Sequence, residues 1–355
     1  MTTSASDREQ RVLEIIETAR AKRPRFRDER ITLAHGAGGK ATQTLIEGLL
    51  APAFGLDELA DAGIVDDVAL TSDSFVVKPL SFPGGSIGEL AVNGTANDLA
   101  VAGARPLALT VSLILEEGLD ADILRREVEA IARAAAAAEV RIVGGDTKVV
   151  ERGAADQMYV CTTGIGRLDP RASLAPGNLR PGDQVLVSGP IGEHGIAIML
   201  ARGEFDLDAE VESDTACLWP AADALLEAVG ADLHCMRDAT RGGVASVLNE
   251  LARASGAAVI VSEAEVPVLP VVLAAAELLG IDPMYIANEG RLVAFVAPDR
   301  AEEALDALWA VEGCGQAARI GEVKAEPPGM VLVKTSFGGM RVMDKLVGDP
   351  LPRIC

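Results

Sequence analysis

Near the middle of the chain, residues 169–183 (DPRASLAPGNLRPGD) carry three prolines and two glycines and show no apolar period. Neither a helix nor a strand can run through such a stretch, and it separates two halves of the chain as a domain boundary does. Before it, residues 68–70, 75–77, 107–115, 141–143 and 158–163 read as strands. Between these lies a helix over about 122–139, with Ile123, Leu124, Val128 and Ile131 on one stripe. After it, strands are expected at 184–188, 257–262 and 292–296, with helices at 243–254 and around 271–279. Strands and helices mix without strict βαβ alternation, so the pattern predicts an α+β layered fold.

A length of 355 residues with 49% hydrophobic content suffices for two cores. The net charge of -21 argues against nucleic acid as a partner, because phosphate-binding surfaces need clustered Lys and Arg. An acidic protein suits a metal-nucleotide ligand better. MTTSASDREQ has no apolar signal-type core and no apolar run is long enough to span a bilayer, so a cytoplasmic protein without a membrane partner is expected. Residues 1–30, rich in Arg and Glu with Val12, Ile15 and Ile16 at helical spacing, read as an N-terminal extension, an appended helix or arm. Domains are then expected over 31–170 and 171–342, followed by a tail over 343–355. Cys161, Cys217, Cys235, Cys314 and Cys355 are scattered without a CxxC pair, so neither a disulfide framework nor a zinc site is indicated. Cys355 stands last, after Pro350 and Pro352, which forbid a stable helix. Extended, the eight residues of GDPLPRIC reach roughly 25 Å, enough to swing between a pocket and another protein.

Several short motifs carry chemistry. HGAGGK (35–40) sets glycines between a strand-like ITLA and a helical pattern over 41–50, where N–H groups could cradle an anion; its spacing is not that of a Walker A loop, and a tight turn explains it too. Carboxylates recur at the ends of β-type or small-residue runs: Asp66 and Asp67 in VDDVAL, Asp73 in LTSDSF, Asp98 in NGTANDLA, Asp146 in IVGGDTK. Each alone reads equally as a turn or cap, but several converging acids would hold a hard cation such as Mg²⁺. Asp98 follows Asn97 within a helix opened by Ser86, among residues small enough for close approach. GGDTK places Asp146 and Lys148 together in a loop at a strand end. RDATRGG offers Asp238 and Arg241 before a helix, and NEGR offers Glu289 before the strand LVAFV; either could be only a turn. His35, His194 and His234 lack ligand spacing and read as structural.

Taken in order, HGAGGK, DDVALTSDSF, GELAVNGTANDLAVAGARPLAL, IVGGDTK, RDATRGGV, NEGR and DPLPRIC closely resemble the hydrogenase maturation factor HypE family, over residues 31–355. The inner motifs are shared more loosely with aminoimidazole ribonucleotide synthetase, selenophosphate synthetase and thiamine monophosphate kinase. PRIC at the end singles out HypE. The resemblance implies a two-domain α+β fold of the PurM-like (aminoimidazole ribonucleotide synthetase-like) kind with a flexible C-terminal tail. It further implies a homodimer whose N-terminal sheets meet across the two-fold, with ATP between N-terminal domains and Mg²⁺ on aspartates. By resemblance Asp66 or Asp67, Asp73, Asp98 and Asp146 serve the metal-nucleotide, with His35, Gly38, Gly39, Lys40 and Asn97 on the nucleotide side. Lys148 and Glu289 are implicated in dehydration, and Cys355 carries the reacting group. The implied partners are a HypF-type carbamoyltransferase and a HypC–HypD complex that receives cyanide.

The implied activity is ATP-dependent dehydration of a carbamoyl group on Cys355 to a thiocyanate. Oxide is a poor leaving group from a thiocarbamate and phosphate a good one, which is what ATP would contribute. Lys148 could strip nitrogen protons if its pKa is lowered, and Glu289 could orient the amide or relay a proton. A terminal carboxylate beside Cys355 disfavours its thiolate, so a partner must supply the reactivity for loading. Two alternatives stay open: a small-molecule synthetase or kinase of the same superfamily, and a non-catalytic nucleotide-sensing scaffold.

Overall fold

A computed structural model describes residues 25–56, 59–203, 210–348 and 354–355; most of the 1–30 extension and residues 349–353 of the tail lie outside the described residues. The chain divides into two compact units, one from Met1–Leu59 and Leu346–Asp349, the other from Ala60–Lys345 and Pro350–Cys355. In the first, ITLA is not the expected strand. It leads into a 3₁₀ turn, Leu33–Gly36, because the Thr32 N–H donates to His35 Nδ1 at 3.0 Å and closes the turn on itself. A helix Lys40–Leu45 and a π-helical stretch Ile46–Leu50 follow.

The second unit holds two large sheets, one on either side of residues 169–183 in sequence. The first comprises β1 (Gly63–Val65), β2 (Val68–Phe75), β3 (Ala104–Glu116), β4 (Arg141–Val150) and β5 (Met158–Leu168), in the order β1-β2-β5-β3-β4. All its pairs are antiparallel except β3–β4, which needs a crossover and gets one from α2 (Ala121–Ala137). The second comprises β6 (Gln184–Val187), β7 (Leu233–Asp238), β8 (Ala258–Ser262), β9 (Leu292–Val296), β10 (Ala318–Lys324), β11 (Val331–Lys334) and β12 (Met340–Met343), in the order β12-β11-β8-β10-β6-β9-β7. Helices α3 (Glu193–Ala201), α4 (Trp219–Val229), α5 (Gly243–Ser255), α6 (Pro270–Leu279) and α7 (Ala301–Trp309) complete this half. The mixed, layered α+β arrangement is the one the sequence pattern predicts.

Helix α1 (Ile87–Val101) lies at the centre. Ser86 caps it by accepting the Gly88 N–H at 3.2 Å, and nearly every side chain from Ile87 to Val101 is buried, the polar Thr95 and Asn97 with their hydrogen bonds made. Amphipathic α2 is capped by Asp120, which accepts the Asp122 N–H.

Two strands differ instructively from expectation. The run at 68–70 continues as one strand, β2, to Phe75, and only the first residue of the expected strand at 75–77 belongs to it; its alternation puts Ala69, Thr71, Asp73 and Phe75 on one face and Leu70, Ser72 and Ser74 on the other. GGDTK is not a loop but the middle of β4. Gly145 explains why: a Cβ there would stand 1.7 Å from the Val111 carbonyl oxygen, so only glycine lets β4 lie this close to β3.

Candidate functional site

Strand β2 and helix α1 bring hydroxyls and carboxylates face to face. Thr71 Oγ1 donates to Asp98 Oδ2 at 2.7 Å, and Thr95 Oγ1 donates to Asp73 Oδ2 at 3.0 Å. Asp238, at the end of β7, and Asp61, in the loop before β1, close in from other elements. Asp61, Asp98 and Asp238 each present a carboxylate oxygen within 4.8 Å of the others. Arg237 pairs with Asp61 and neutralises part of this charge. Burial, then the neighbouring carboxylates, raise Asp98 and Asp238 well above the ordinary range; burial raises Asp61 also, against the pull of Arg237. Three desolvated carboxyls on separate elements form a hard-oxygen donor set that a divalent cation would relieve, which is the chemistry Mg²⁺ requires.

Beside this cluster lies the end of the chain. Cys355 accepts the Val76 N–H on its backbone oxygen at 3.1 Å, the residue after β2. Ile354 is buried in the apolar cluster that contains Val77, Leu80, Phe82 and Ile286, and its carbonyl accepts from His194 Nε2 at 2.6 Å. Burial pushes the Cys355 thiol up to about 12; Arg241 pulls it down, while Glu289 and Asp73 push it further up. The docked sulfur is therefore a neutral thiol at pH 7. Cys355, Glu289, Asp73 and Asp98 all act on Arg241, which sits among them as their common counter-charge.

Glu289 is held from behind. Asp214 accepts the N–H groups of Glu289 and Gly290 at 3.0 and 3.2 Å, and Asn97 Nδ2 donates to the Glu289 carbonyl at 3.2 Å. Gly290 is obligatory, since a Cβ would stand 1.9 Å from the Asp214 backbone oxygen. The carboxyl is buried, raised well above its usual range chiefly by desolvation, and its Oε1 makes no well-formed hydrogen bond among the described residues. An unsatisfied buried carboxyl oxygen next to a thiol is costly, and it fits a reacting group that brings its own donor.

Comparison with known proteins gives the family and the fold. The AIR synthase related protein N-terminal domain matches residues 59–168 and the corresponding C-terminal domain matches 180–334. The chain is 49% identical over 341 residues to the carbamoyl dehydratase HypE of Rhodobacter capsulatus, covering 93% of this chain and 99% of that one. The chain belongs to the HypE family. Among solved structures, that of a HypE–HypF complex superposes with a TM-score of 0.81 at 43% identity, covering 85% of this chain and 99% of that chain. The structure of hydrogenase maturation protein HypE in complex with ATP gives 0.78 at 43% identity, covering 92% and 100%. The fold is thus the two-domain PurM-like one that the sequence resemblance implied, and the chain is an enzyme of the dehydratase type.

Within one chain of this HypE-family protein, the structure brings together only part of the sequence-derived candidate set. Asp73, Asp98, Glu289 and Cys355 meet. Asp66 and Asp67 form the exposed β1–β2 turn, Asp66 with φ of 57°, and Asp67 lies 3.8 Å from Arg167. Asp146 and Lys148 pair with each other at 2.7 Å on exposed β4. The register Asp73–Thr162–Val111–Gly145 spans three strand spacings, about 14 Å. Asp146 is one residue beyond Gly145, opposite Ser112, so its side chain falls on the sheet face away from Asp73 and α1. Asn97 is buried, its Nδ2 donating to the Ala216 and Glu289 carbonyls and its Oδ1 accepting from Leu218 N–H; it braces the Glu289 loop.

His35, Gly38, Gly39 and Lys40 belong to the smaller unit. There Gly38 N–H donates to Thr42 Oγ1 at 2.9 Å and Lys40 N–H to the Leu346 carbonyl at 3.0 Å, so two donors of the expected anion cradle are already used; Gly39 caps the short helix and His35 Nε2 contacts Asp28 at 2.9 Å. Asp61 gave no sequence signal, because it precedes a three-residue strand in a segment without period. Asp238 and Arg241 were visible only as an acid and a base before a helix.

Proposed function

We propose that this chain dehydrates an S-carbamoyl group on Cys355 to an S-cyano group at the expense of ATP, supplying the cyanide ligand for the iron of a [NiFe]-hydrogenase. The observation that carries this reading is the seating of Cys355 against Glu289 and Arg241, next to the carboxylate cluster. A neutral docked sulfur suits the reaction, since an S-carbamoyl group, unlike a thiolate, brings no charge into a desolvated acidic site. ATP is consumed as a substrate: the carboxamide oxygen takes the γ-phosphoryl group and leaves as inorganic phosphate, two protons leave the nitrogen, and S–C(=O)–NH₂ becomes S–C≡N. Asp61, Asp98 and Asp238, with the charge of Asp73 acting on them, would hold Mg²⁺, which would neutralise phosphate charge and align the transfer. Arg241 stabilises negative charge developing on the carboxamide oxygen. Glu289, whose Oε1 makes no well-formed hydrogen bond among the described residues, takes an amide proton and passes it to the departing phosphate.

Lys148 cannot reach this site from its own chain, being on the other face and far edge of the sheet. A homodimer supplies what one chain lacks: the exposed face of the five-stranded sheet, with Leu70 beside Ile165, meets a second copy, and Asp146 and Lys148 serve the partner's nucleotide and carboxamide. A HypF-type carbamoyltransferase would load the tail, a reading supported by the solved HypE–HypF complex, and a HypC–HypD complex would take the cyanide.

The test is intact-mass and peptide mapping of carbamoylated protein given Mg²⁺ and ATP. The Cys355 peptide is expected to lose the mass of one water, and Cys355→Ala to bind ATP but accept no carbamoyl group. Water loss mapping to Cys161 or Cys217 would overturn the reading, as would phosphorylation of a free small molecule that proceeds equally well in Cys355→Ala.

A further inference from the structure

We infer that His194, with Ser213 behind it, is the latch that seats the cysteine-bearing end for reaction, a positioning role that rests on the proposed chemistry at Cys355. His194 is fully buried in the first turn of α3, its ring edge-on to Phe82 with centroids 5.6 Å apart. Its Nε2 faces the Ile354 carbonyl at 2.6 Å, which can only accept, so Nε2 carries the hydrogen. Its Nδ1 lies 2.8 Å from Ser213 Oγ, and burial lowers the imidazole to about 4, so the ring is neutral and Nδ1 accepts. Ser213 Oγ in turn accepts the Thr215 N–H at 3.2 Å. The four groups form one directed chain: Thr215 N–H to Ser213 Oγ–H to His194 to the Ile354 carbonyl. Every hydrogen in it has a single place to point.

A structural histidine would need only to be satisfied; this one is satisfied by the backbone of the residue next to Cys355. The same helix start is bonded to the segment before Glu289, through Gly192 N–H to Asn288 Oδ1 at 2.7 Å and Gly195 N–H to the Ala287 carbonyl at 3.1 Å. His194 therefore fixes Ile354 in the frame that carries Glu289, and Cys355 is one residue away. Such fixing raises the effective concentration of the reacting group at the site.

The experiment measures alkylation of each cysteine of the full chain by mass spectrometry at pH 8, and single-turnover water loss from the carbamoylated protein at saturating Mg²⁺ and ATP. His194→Phe, which keeps a ring but loses the donor, should speed alkylation of Cys355 about fivefold to tenfold, the order expected for one hydrogen bond. Cys235 and Cys314 should stay protected, water loss should slow by a similar factor, and ATP affinity should not change. His194→Gln, whose Nε2 can still donate, should restore most of both, and Ser213→Ala should give a smaller effect of the same sign. If His194→Phe also exposes Cys235 and Cys314, Ser213→Ala decides alone. Unchanged Cys355 alkylation in a variant that keeps its core protected overturns the latch. Altered alkylation in a protein that never loses water from the tail leaves the latch standing and overturns the dehydration chemistry.

Discussion

Asp98 occupies a helix turn where its surroundings pull in opposite directions. Thr71 donates to it and favours the carboxylate, while burial and the charges of Asp238, Asp73 and Asp61 favour the acid. A group chosen for stability alone would not be a carboxyl, because a neutral isostere keeps the Thr71 bond and drops the repulsion. Asp98→Asn is therefore expected to raise the melting temperature of the metal-free protein by about a few degrees. The same substitution should weaken Mg²⁺-ATP binding by about tenfold to a hundredfold, the order of one contact to a charged group. Calorimetric titration and thermal denaturation read the two effects separately. A destabilised variant with unchanged binding would reduce Asp98 to a helix-end residue.

At the scale of elements, the loop carrying Glu289 shows how rigidly the site is framed. Asp214 accepts two successive N–H groups, Asn97 reaches from α1 to the Glu289 carbonyl, and Gly290 lets the Asp214 backbone approach. Gly290→Ala must push these two loop segments apart, at a cost of about 1–3 kcal/mol typical of overpacking. Because the displaced neighbour is Glu289, turnover should fall more than ATP affinity; equal losses in the two would mean that the loop supports the nucleotide instead. Such framing was only partly legible in the sequence. Asp98 stood out because small residues around an acid are unusual in a helix core, whereas Asp73 took its role from the family resemblance. Glu289 read equally as a turn residue and took its role from the family resemblance. Asp61 did not, since a short strand after an aperiodic loop leaves no pattern, and His194 read as an ordinary buried histidine because its partner lies 160 residues away. The glycines of GGDT were legible, but their reason was not: Gly145 is demanded by strand packing against Val111, a contact that no local pattern encodes.

For the whole molecule, strands and helices mixed without strict alternation around a Pro/Gly break were enough to indicate the layered α+β class, while the sheet orders depend on long-range pairings that periodicity does not reveal. Those pairings set the last question, which chain supplies Lys148. Register and face separate it from Cys355 within one chain, so the proposed dimer predicts that two inactive variants will complement each other. Lys148→Ala keeps the tail but lacks the amine; Cys355→Ala keeps the amine but has no tail to modify. In a mixed dimer of two-fold design, the amine of the second variant would face the tail of the first. Random pairing of equal amounts puts about half of the cysteine-bearing chains in mixed dimers, so co-expressed and carbamoylated protein should show water loss on up to that fraction of Cys355 peptides. Neither variant alone should react. If Lys148 acted within its own chain, the mixture would be as inactive as its parts, because the only chain with a tail would be the one without its lysine. Silence in the mixture, with mixed dimers demonstrated by differential tags, would overturn the shared site, whereas water loss in Lys148→Ala alone would return Lys148 to its surface pair with Asp146 and leave the amide protons to Glu289.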